Sequence, residues 1–269
     1  MTEELDGWFR MPLCFGPAPG PRNLPQDQRH RRYTKDIHSV TLAAHSDGAM
    51  LQALLPAGLS LDGAPRIEMV FTAFRNIGWL AGRGYDIVMV RIPARWREGD
   101  QDVAGHFVPV VWENMADPII TGREELGWAK IYGEIAQYTA ADGGWTGVAS
   151  WDGHPFLSAE ATGFAPAAPP APPPPMVFRK YVPRTGLPGQ ADVDCLTRTA
   201  PDGPPATLVA SEGGSGRFAF HPARWEDMPT QYRIVNGLAA LPLHDFLPAS
   251  RTHVSGGGDG SGQRELVVD

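Results

Sequence analysis

The sequence predicts an α+β domain built mainly from strands. Proline and glycine together supply 58 of the 269 residues, 27 and 31 respectively, and they separate short apolar runs instead of long amphipathic ones. Several runs show the two-residue alternation of a β-strand. In YDIVMVRIPARW, residues 85–96, both alternating sets are largely apolar, which indicates a strand covered on both faces.

Eight segments have the composition of strands. They cover residues 38–45, 66–74, 85–96, 106–113, 145–153, 154–164 and 176–183, with a last run starting at Arg217. Helical patterns are fewer. Ser46-Asp47 before GAMLQALLP predicts a short capped helix that ends at Pro56. A second helix is predicted around residues 120–135, and there Leu126 and Lys130 would share one face, although Gly127 and Gly133 favour a broken helix equally.

The chain is expected to form one domain, residues 15–254, after an N-terminal extension of residues 1–14. Residues 255–269 begin with SGGGDGSG and are predicted to be a flexible tail. The polyproline tract at 165–175 is interpreted as a semi-rigid surface connector, and recognition by a proline-binding partner is the alternative.

Composition and charge exclude several function classes. The net charge is -7, and the basic residues are dispersed apart from the run at 29–32, so a nucleic-acid surface is not expected. No apolar run approaches the roughly 20 residues of a membrane span. The only cysteines, Cys14 and Cys195, are too few for a disulfide framework or a cysteine metal cluster. With an acidic N-terminus unlike a secretory signal, these features predict a cytoplasmic protein that binds no metal.

Lys130 is an unusual residue in this chain, which has three lysines, at positions 35, 130 and 180, against twenty arginines. In one interpretation its stem packs on Trp128 and its ammonium reaches water. In the other the lysine is desolvated, so the charged form is disfavoured and a neutral amine can attack a ketone. No nucleophile elbow, P-loop or dinucleotide-binding glycine motif competes with this chemistry.

The segment DPIITGREELGWAK, Asp117 to Lys130, resembles the acetoacetate decarboxylase superfamily. The segments DGAMLQALLPAGLSL, RIEMVF, YDIVMVRIPARW and PMVFRKYVP resemble other parts of that family in the same order. The resemblance implies a curved, barrel-like sheet that encloses a pocket, with few helices outside it. It also implies a homo-oligomer in which Lys130 forms a Schiff base with substrate and no cofactor is used.

The same resemblance suggests further site residues. Glu68 in RIEM matches an active-site glutamate of the family, although an ordinary strand-edge glutamate is the alternative. Arg32 is the nearest match to the arginine that binds the substrate carboxylate, with Arg29 and Arg31 also open. The aromatic residues Tyr85, Trp128 and Trp112 are candidates for lining the substrate pocket, and core packing is the alternative for the tryptophans.

Two positions depart from the family pattern. Ile131 stands where acetoacetate decarboxylases carry a second lysine, so no adjacent cation can disfavour the charged form of Lys130. Ile87 stands where the family has a glutamate, and the neighbouring Asp86 should point to the opposite face of its strand. One carboxylate that the resemblance implies for the active site is therefore missing from this sequence, at position 87.

The sequence thus predicts a cofactor-free carbon-carbon lyase that acts on a small keto acid through a lysine enamine. A β-keto acid would be decarboxylated, whereas an α-keto acid would enter aldolase-dehydratase chemistry. The alternative from another class is a non-catalytic barrel that binds a small acid, or an interaction protein that presents its proline tract.

Overall fold

Sixteen strands dominate the computed structural model, which describes Trp8, residues 10–12 and residues 19–268. The strands are β1 (Asp36–His45), β2 (Ser60–Leu61), β3 (Arg66–Ile77), β4 (Arg83–Glu98), β5 (Gln101–Phe107), β6 (Val111–Glu113), β7 (Lys130–Tyr132), β8 (Glu134–Thr139), β9 (Trp145–Trp151), β10 (His154–Pro166), β11 (Met176–Pro183), β12 (Ala191–Arg198), β13 (Thr207–Phe220), β14 (His244–Phe246), β15 (Ala249–Ser255) and β16 (Arg264–Leu266). The α-helices are α1 (Gly48–Leu54), α2 (Ala116–Thr121) and α3 (Tyr232–Ala239), with short 3-10 turns at Gln26–Arg31 and Gly78–Leu80.

All the strands belong to one curled sheet. Its main path runs β16-β12-β11-β5-β4-β3-β1-β15-β13-β10-β9-β8, while β14 pairs with β1, β2 and β6 pair with β4, and β7 pairs with β6. The sheet curls so that its last strand, β8, lies beside β4 in the middle of the order. Gln137 on β8 donates a 2.8 Å hydrogen bond to the Asp86 carboxylate on β4. The predicted mainly β fold, with a curved sheet and few helices, is confirmed.

Strand β4 contributes to two apolar cores because its side chains alternate between the faces of the sheet. Val88, Val90 and Ile92 enter the large core inside the curl. Ile87 and Met89 face the other way, into a smaller core completed by Val70, Val108, Val111 and Phe178. This explains the apolar character of both sets in the sequence, and the candidate site lies on the side of the smaller core.

Helix α1 forms as predicted, with the Asp47 carboxylate accepting a 2.8 Å hydrogen bond from the Met50 amide. The predicted second helix is placed differently. Helical turns run through α2 and a wider π-type turn, Gly122–Leu126, and end at Gly127, whose φ of +76° is left-handed. Lys130 therefore begins a strand and shares no helix face with Leu126. No helix among the described residues is long and apolar enough to cross a membrane.

The C-terminal segment differs from the predicted flexible tail. Strand β16 pairs with β12, and the Asp202 carboxylate accepts hydrogen bonds from the Asp259 and Gly262 amides in the loop before it. Glycines here permit a tight turn against the domain instead of mobility. Most of the predicted extension at 1–14, including Cys14, lies outside the described residues. The stretch 167–175 links β10 to β11 and is exposed along nearly all its length.

Candidate active site

A cavity of about 170 Å³ lies against the face of β3 and β4 that carries the smaller core. This volume is well below the roughly 300–1,000 Å³ typical of sites for drug-sized ligands, so it suits a small molecule. Four parts of the chain contribute its walls: the segment before β1, the β3–β4 hairpin, the α2–β7 segment and the loop before β16, residues 256–263, which is called the C-terminal loop below. The lining residues are Pro21, Arg22, Arg32, Thr34, Lys35, Phe74, Ile77, Trp79, Tyr85, Ile87, Pro118, Thr121, Gly122, Leu126, Trp128, Lys130, Gly258, Asp259 and Gly260.

Strand β7 directs Lys130 toward this cavity. It pairs in parallel with β6, with Lys130 opposite Val111. Alternation then turns Ile131 toward the large core and leaves Lys130 on the cavity side. The helical turns before β7 pack on the lysine so closely that a Cβ at Gly122 would lie 2.6 Å from Lys130 Cδ. Glycine at position 122 is therefore required for this arrangement.

The Lys130 ammonium is buried, with only 6 % of the residue exposed. Its Nζ lies 2.8 Å from Glu113 Oε2, donates a 3.0 Å hydrogen bond to the Pro118 carbonyl and sits 5.1 Å from the centre of the Trp128 ring. The interpretation in which the ammonium reaches water is wrong, because these contacts hold it inside the protein. The amine is a desolvated group at the wall of a small cavity.

Glu113 is a site residue that sequence reasoning missed. It is fully buried on β6, and burial raises the pKa of its carboxyl although the nearby Lys130 charge acts in the opposite direction. Neither of its carboxylate oxygens has a hydrogen-bond partner among the described residues. The residue ends a predicted strand, but nothing local indicates that a chain segment seventeen positions later would pair with it. Only the parallel β6–β7 pairing brings it to Lys130.

Cationic groups gather on the side of the cavity formed by the segment before β1. Arg32 lies on the wall, whereas the alternatives Arg29 and Arg31 do not. Its Nε lies 2.6 Å from Asp259 Oδ2. Lys35 donates to the Gly258 carbonyl, and burial lowers the pKa of its amine against the opposing charge of Asp259. The C-terminal loop is thus held by the same cations that face the cavity.

A second arginine of the wall, Arg22, was not predicted. It is buried, lies 2.6 Å from the Glu125 carboxylate and also donates to the backbone carbonyl of Asp259. Its sequence context, GPAPGPRN, gave no indication of a site. Both arginines are paired with a carboxylate, but the Arg22 side chain is 1 % exposed and the Arg32 side chain 32 %, so a ligand can reach Arg32 more readily.

Tyr85 and Trp128 both line the cavity, as the sequence suggested. Burial and the negative charge of Glu113 raise the pKa of the Tyr85 phenol well above its usual value, although Arg22 opposes this. Tyr85 therefore remains a protonated hydroxyl near neutral pH. Trp128 stacks on Phe178 with ring centres 4.6 Å apart, which fixes one wall.

Trp112 lies on the opposite face of β6 and does not line the cavity. Its ring packs 4.8 Å from Phe156 in the large core, and its Nε1 donates a 2.8 Å hydrogen bond to Gln231. Alternation along the strand explains the difference, because Val111 and Glu113 take the cavity side. Trp112 is a core residue in this fold.

Glu68 also lies outside the cavity, in a buried ionic cluster further along the sheet. Its carboxylate is 2.8 Å from Arg91, 3.1 Å from Arg66 and 3.3 Å from His106. Burial alone would raise the pKa of Glu68, but the hydrogen bond with His106 and the charges of Arg91 and His106 outweigh it and lower the pKa to about 2. This geometry gives Glu68 a role in stability.

Glu68→Gln is therefore expected to reduce stability without affecting the site. A carboxyl with a depressed folded-state pKa stabilises the fold above its unfolded-state pKa, and this contribution disappears as the pH falls from about 4.5 to 2. The variant should lose about 3 kcal/mol of unfolding free energy near neutral pH and much less in acid. Urea unfolding at both pH values measures this. Loss of reactivity at Lys130 in a folded variant would instead place Glu68 in the chemistry.

The arrangement combines a buried amine, a carboxylate in contact with it, a protonated phenol and a cation at the rim. An amine of this kind can add to a carbonyl group, and a rim arginine can bind a carboxylate. Among the described residues, no group of three or more His, Cys, Asp or Glu side chains is placed to hold a metal ion. Both groups, the Lys130 amine and Arg32, lie on the wall of the same small cavity.

Known proteins share this fold. The acetoacetate decarboxylase (ADC) family model matches residues 10–253. A solved acetoacetate decarboxylase has 14 % identity and a TM-score of 0.70, with 87 % of this chain and 90 % of that chain covered. No curated protein sequence matches this chain significantly.

Two other solved structures extend the comparison. The acetoacetate decarboxylase of Legionella pneumophila has 18 % identity and a TM-score of 0.66, covering 94 % of this chain and 93 % of that one. The enduracididine biosynthesis enzyme MppR, complexed with the condensation product of pyruvate and imidazole 4-carboxaldehyde, has 16 % identity and a TM-score of 0.67, covering 87 % and 88 %. At these identities the similarities establish a common fold.

Proposed function

Because the chain belongs to the acetoacetate decarboxylase family, we propose that it is a cofactor-free carbon-carbon lyase that forms a Schiff base between Lys130 and a small keto acid. The observation that carries this proposal is the buried Lys130 amine at the wall of a small cavity. A neutral amine adds to a ketone and loses water to give an iminium, which accepts the electrons of an adjacent breaking bond.

The other groups of the wall support the same chemistry. Arg32 can pair with the substrate carboxylate, since a guanidinium binds a carboxylate through two parallel hydrogen bonds. The Tyr85 hydroxyl remains protonated and can donate a hydrogen bond to the substrate oxygen. The Trp128 and Ile87 side chains keep this part of the cavity apolar.

Two reactions share the iminium step. A β-keto acid would lose carbon dioxide and leave an enamine, which then takes a proton. An α-keto acid would lose a proton to give an enamine that adds to an aldehyde and then eliminates water. The absence of a second lysine at Ile131 and of a carboxylate at Ile87 favours a substrate other than acetoacetate, so both reactions belong to the proposal.

Proton NMR in deuterated water tests this function and separates the two reactions. With acetoacetate, a decarboxylase produces acetone faster than the uncatalysed reaction. With pyruvate, an enamine-forming enzyme exchanges the methyl protons for deuterium, and an added aldehyde gives a condensation product. If folded protein produces neither effect with these or homologous keto acids, the non-catalytic binding barrel becomes the better account.

Asp259 is expected to weaken binding of the substrate carboxylate. The Asp259 carboxylate is itself paired with Arg32, and its pKa is lowered because hydrogen bonds from Arg32 and Ser261 outweigh the effect of burial. A substrate carboxylate must therefore compete with it. Asp259→Asn is expected to lower the dissociation constant of a keto acid about tenfold, which corresponds to roughly 1.4 kcal/mol. Isothermal titration measures the change, with acetone as the control ligand that lacks a carboxylate. Weaker keto-acid binding in the variant would remove Arg32 from this role.

A further inference from the structure

We propose that Glu113 is the proton acceptor that converts the Lys130 ammonium into the amine that attacks the substrate carbonyl. This inference rests on the proposed function for its biological meaning. Its test, however, measures an imine that any small aldehyde can form with Lys130.

The contacts of Glu113 suit a proton acceptor. Oε2 lies 2.8 Å from Lys130 Nζ, and Glu113 has no exposed surface, so bulk water does not compete for the proton. Two titratable groups from neighbouring strands interact with Glu113, namely Lys130 from β7 and Tyr85 from β4. Oε2 has this ion-pair contact, and neither carboxylate oxygen has a hydrogen-bond partner among the described residues. Such oxygens disfavour the carboxylate form, because a buried charge needs several hydrogen bonds to be stable.

This environment also makes the Glu113 carboxylate a stronger base than an exposed glutamate. Burial raises the pKa of the carboxyl in spite of the adjacent ammonium. A base with a raised pKa accepts a proton from an ammonium more readily than an exposed glutamate does. Transfer of this proton converts a buried ion pair into a neutral pair, which removes the cost of two buried charges.

The strand register places Glu113 next to Ile87, the position where the family pattern has a glutamate. Ile87 on β4 and Glu113 on β6 are directly opposite each other in an antiparallel pair. Directly opposite residues have Cβ atoms about 4.5–5.5 Å apart on the same face of the sheet. A carboxylate on either residue therefore projects into the same region beside Lys130.

The proposed step is balanced in protons. Glu113 takes one proton from the ammonium, and the neutral amine then bonds to the carbonyl carbon, whose oxygen takes a proton from the nitrogen. The resulting carbinolamine hydroxyl receives the proton held by Glu113 and leaves as water. The products are an iminium with one N–H and the Glu113 carboxylate, which now neutralises the iminium charge.

Reductive methylation of Lys130 tests the inference. Formaldehyde forms an imine with the amine, cyanoborohydride reduces it, and peptide mass spectrometry quantifies it, with Lys180 as the reference lysine in the same molecule. Glu113→Gln keeps the side-chain size and cannot accept a proton, so imine formation at Lys130 should slow about 100-fold. In the wild-type protein the rate should fall only in acid, where Glu113 becomes protonated. In the variant the ammonium must lose its proton to solvent, so the rate should fall steadily as the pH is lowered.

Two outcomes would overturn the proposal. If Glu113→Gln reacts as fast as the wild-type protein or faster, the carboxylate only holds the lysine in its charged form. Where Glu113→Gln folds poorly, the pH profile of the wild-type protein keeps the inference testable. The double variant Ile87→Glu/Glu113→Gln restores a carboxylate from the opposite strand. We expect it to react about tenfold faster than Glu113→Gln. Failure of the folded double variant to regain any rate would equally count against a proton acceptor at this place.

These outcomes separate the inference from the proposed function. If the wild-type protein is methylated with the expected pH profile but acts on no keto acid, the lyase function is refuted and the Glu113–Lys130 proton transfer stands. If the wild-type protein acts on a keto acid and Glu113→Gln is methylated as fast as the wild type, only the role of Glu113 is refuted.

Discussion

Lys130→Met is expected to abolish keto-acid chemistry, with a loss on the order of 10⁴-fold or more in rate. Methionine keeps an apolar chain of similar length within the same packing but lacks the amine, and no other group in contact with Glu113 among the described residues can form an imine. The rate of acetone formation or of pyruvate proton exchange measures the loss. A variant that retains turnover would remove Lys130 from the mechanism.

The stability of this variant should depend on pH in a specific direction. Without the lysine, Glu113 loses the one charge that lowers the pKa of its buried carboxyl, so this pKa rises further. A carboxyl with a raised folded-state pKa stabilises the fold below its unfolded-state pKa, and this contribution is lost as the pH rises through the folded-state value. Breaking a buried pair costs about 3–5 kcal/mol when the remaining charge is uncompensated. Lys130→Met/Glu113→Gln is the matched control and should not show the decline with rising pH.

Gly122→Ala is expected to lower activity about 100-fold while the fold remains intact, because displacing a reactive group by about 1 Å has an effect of this size. Gly122 has an ordinary right-handed helical conformation, with φ of -64°. An added Cβ would lie 2.6, 2.7 and 3.0 Å from Cδ, Cε and Nζ of Lys130, and the flexible lysine would move. The amine would then leave Glu113 and the Pro118 carbonyl. Keto-acid turnover and thermal unfolding of the same sample measure the two effects.

Gly237→Ala provides the matched control. Gly237 lies in α3, and a Cβ at this position would meet no described atom within 4 Å apart from the adjoining residues and backbone of its own helix. Replacing this helical glycine should leave activity unchanged and stabilise the protein by about 0.5–1 kcal/mol. If Gly122→Ala retains the wild-type rate, close packing on Lys130 does not position the amine.

The fold could largely be predicted because most of its longer strands and helix α1 have a recognisable pattern in the local sequence. The alternating run in β4, the Asp47 cap of α1 and the glycine and proline boundaries are all encoded within a few residues. Short strands such as β7 and β16 have no such pattern, since three residues do not establish a period, and they depend on distant partners. The C-terminal loop was misjudged for a related reason: its glycines favour mobility locally, whereas contacts with Asp202, Arg32 and Lys35 fix it.

Four of the candidate residues from the sequence line the cavity. Lys130 follows a recognisable segment, and Tyr85, Trp128 and Arg32 also reach the cavity. Trp112 was a candidate by its residue type and Glu68 by the resemblance of RIEM to the family, and neither determines the face of a strand or the groups that surround a carboxylate. Glu113 and Arg22 reach the site through tertiary contacts, which no local pattern in the sequence records.

Borohydride trapping of the wild-type protein tests the central claim, that Lys130 forms the Schiff base, most directly. The protein is incubated separately with pyruvate and with acetoacetate, reduced, digested and analysed by peptide mass spectrometry. Because the chain has three lysines, each can be assigned on its own peptide, and Lys35 is the other amine of the same cavity.

We predict a reduced adduct on Lys130 with at least one of the two keto acids, and none on Lys180. With pyruvate the adduct is a carboxyethyl group, and with acetoacetate its mass distinguishes the intact acid from the decarboxylated product. An adduct confined to Lys35, or unmodified Lys130 after reaction with both keto acids, would contradict the account.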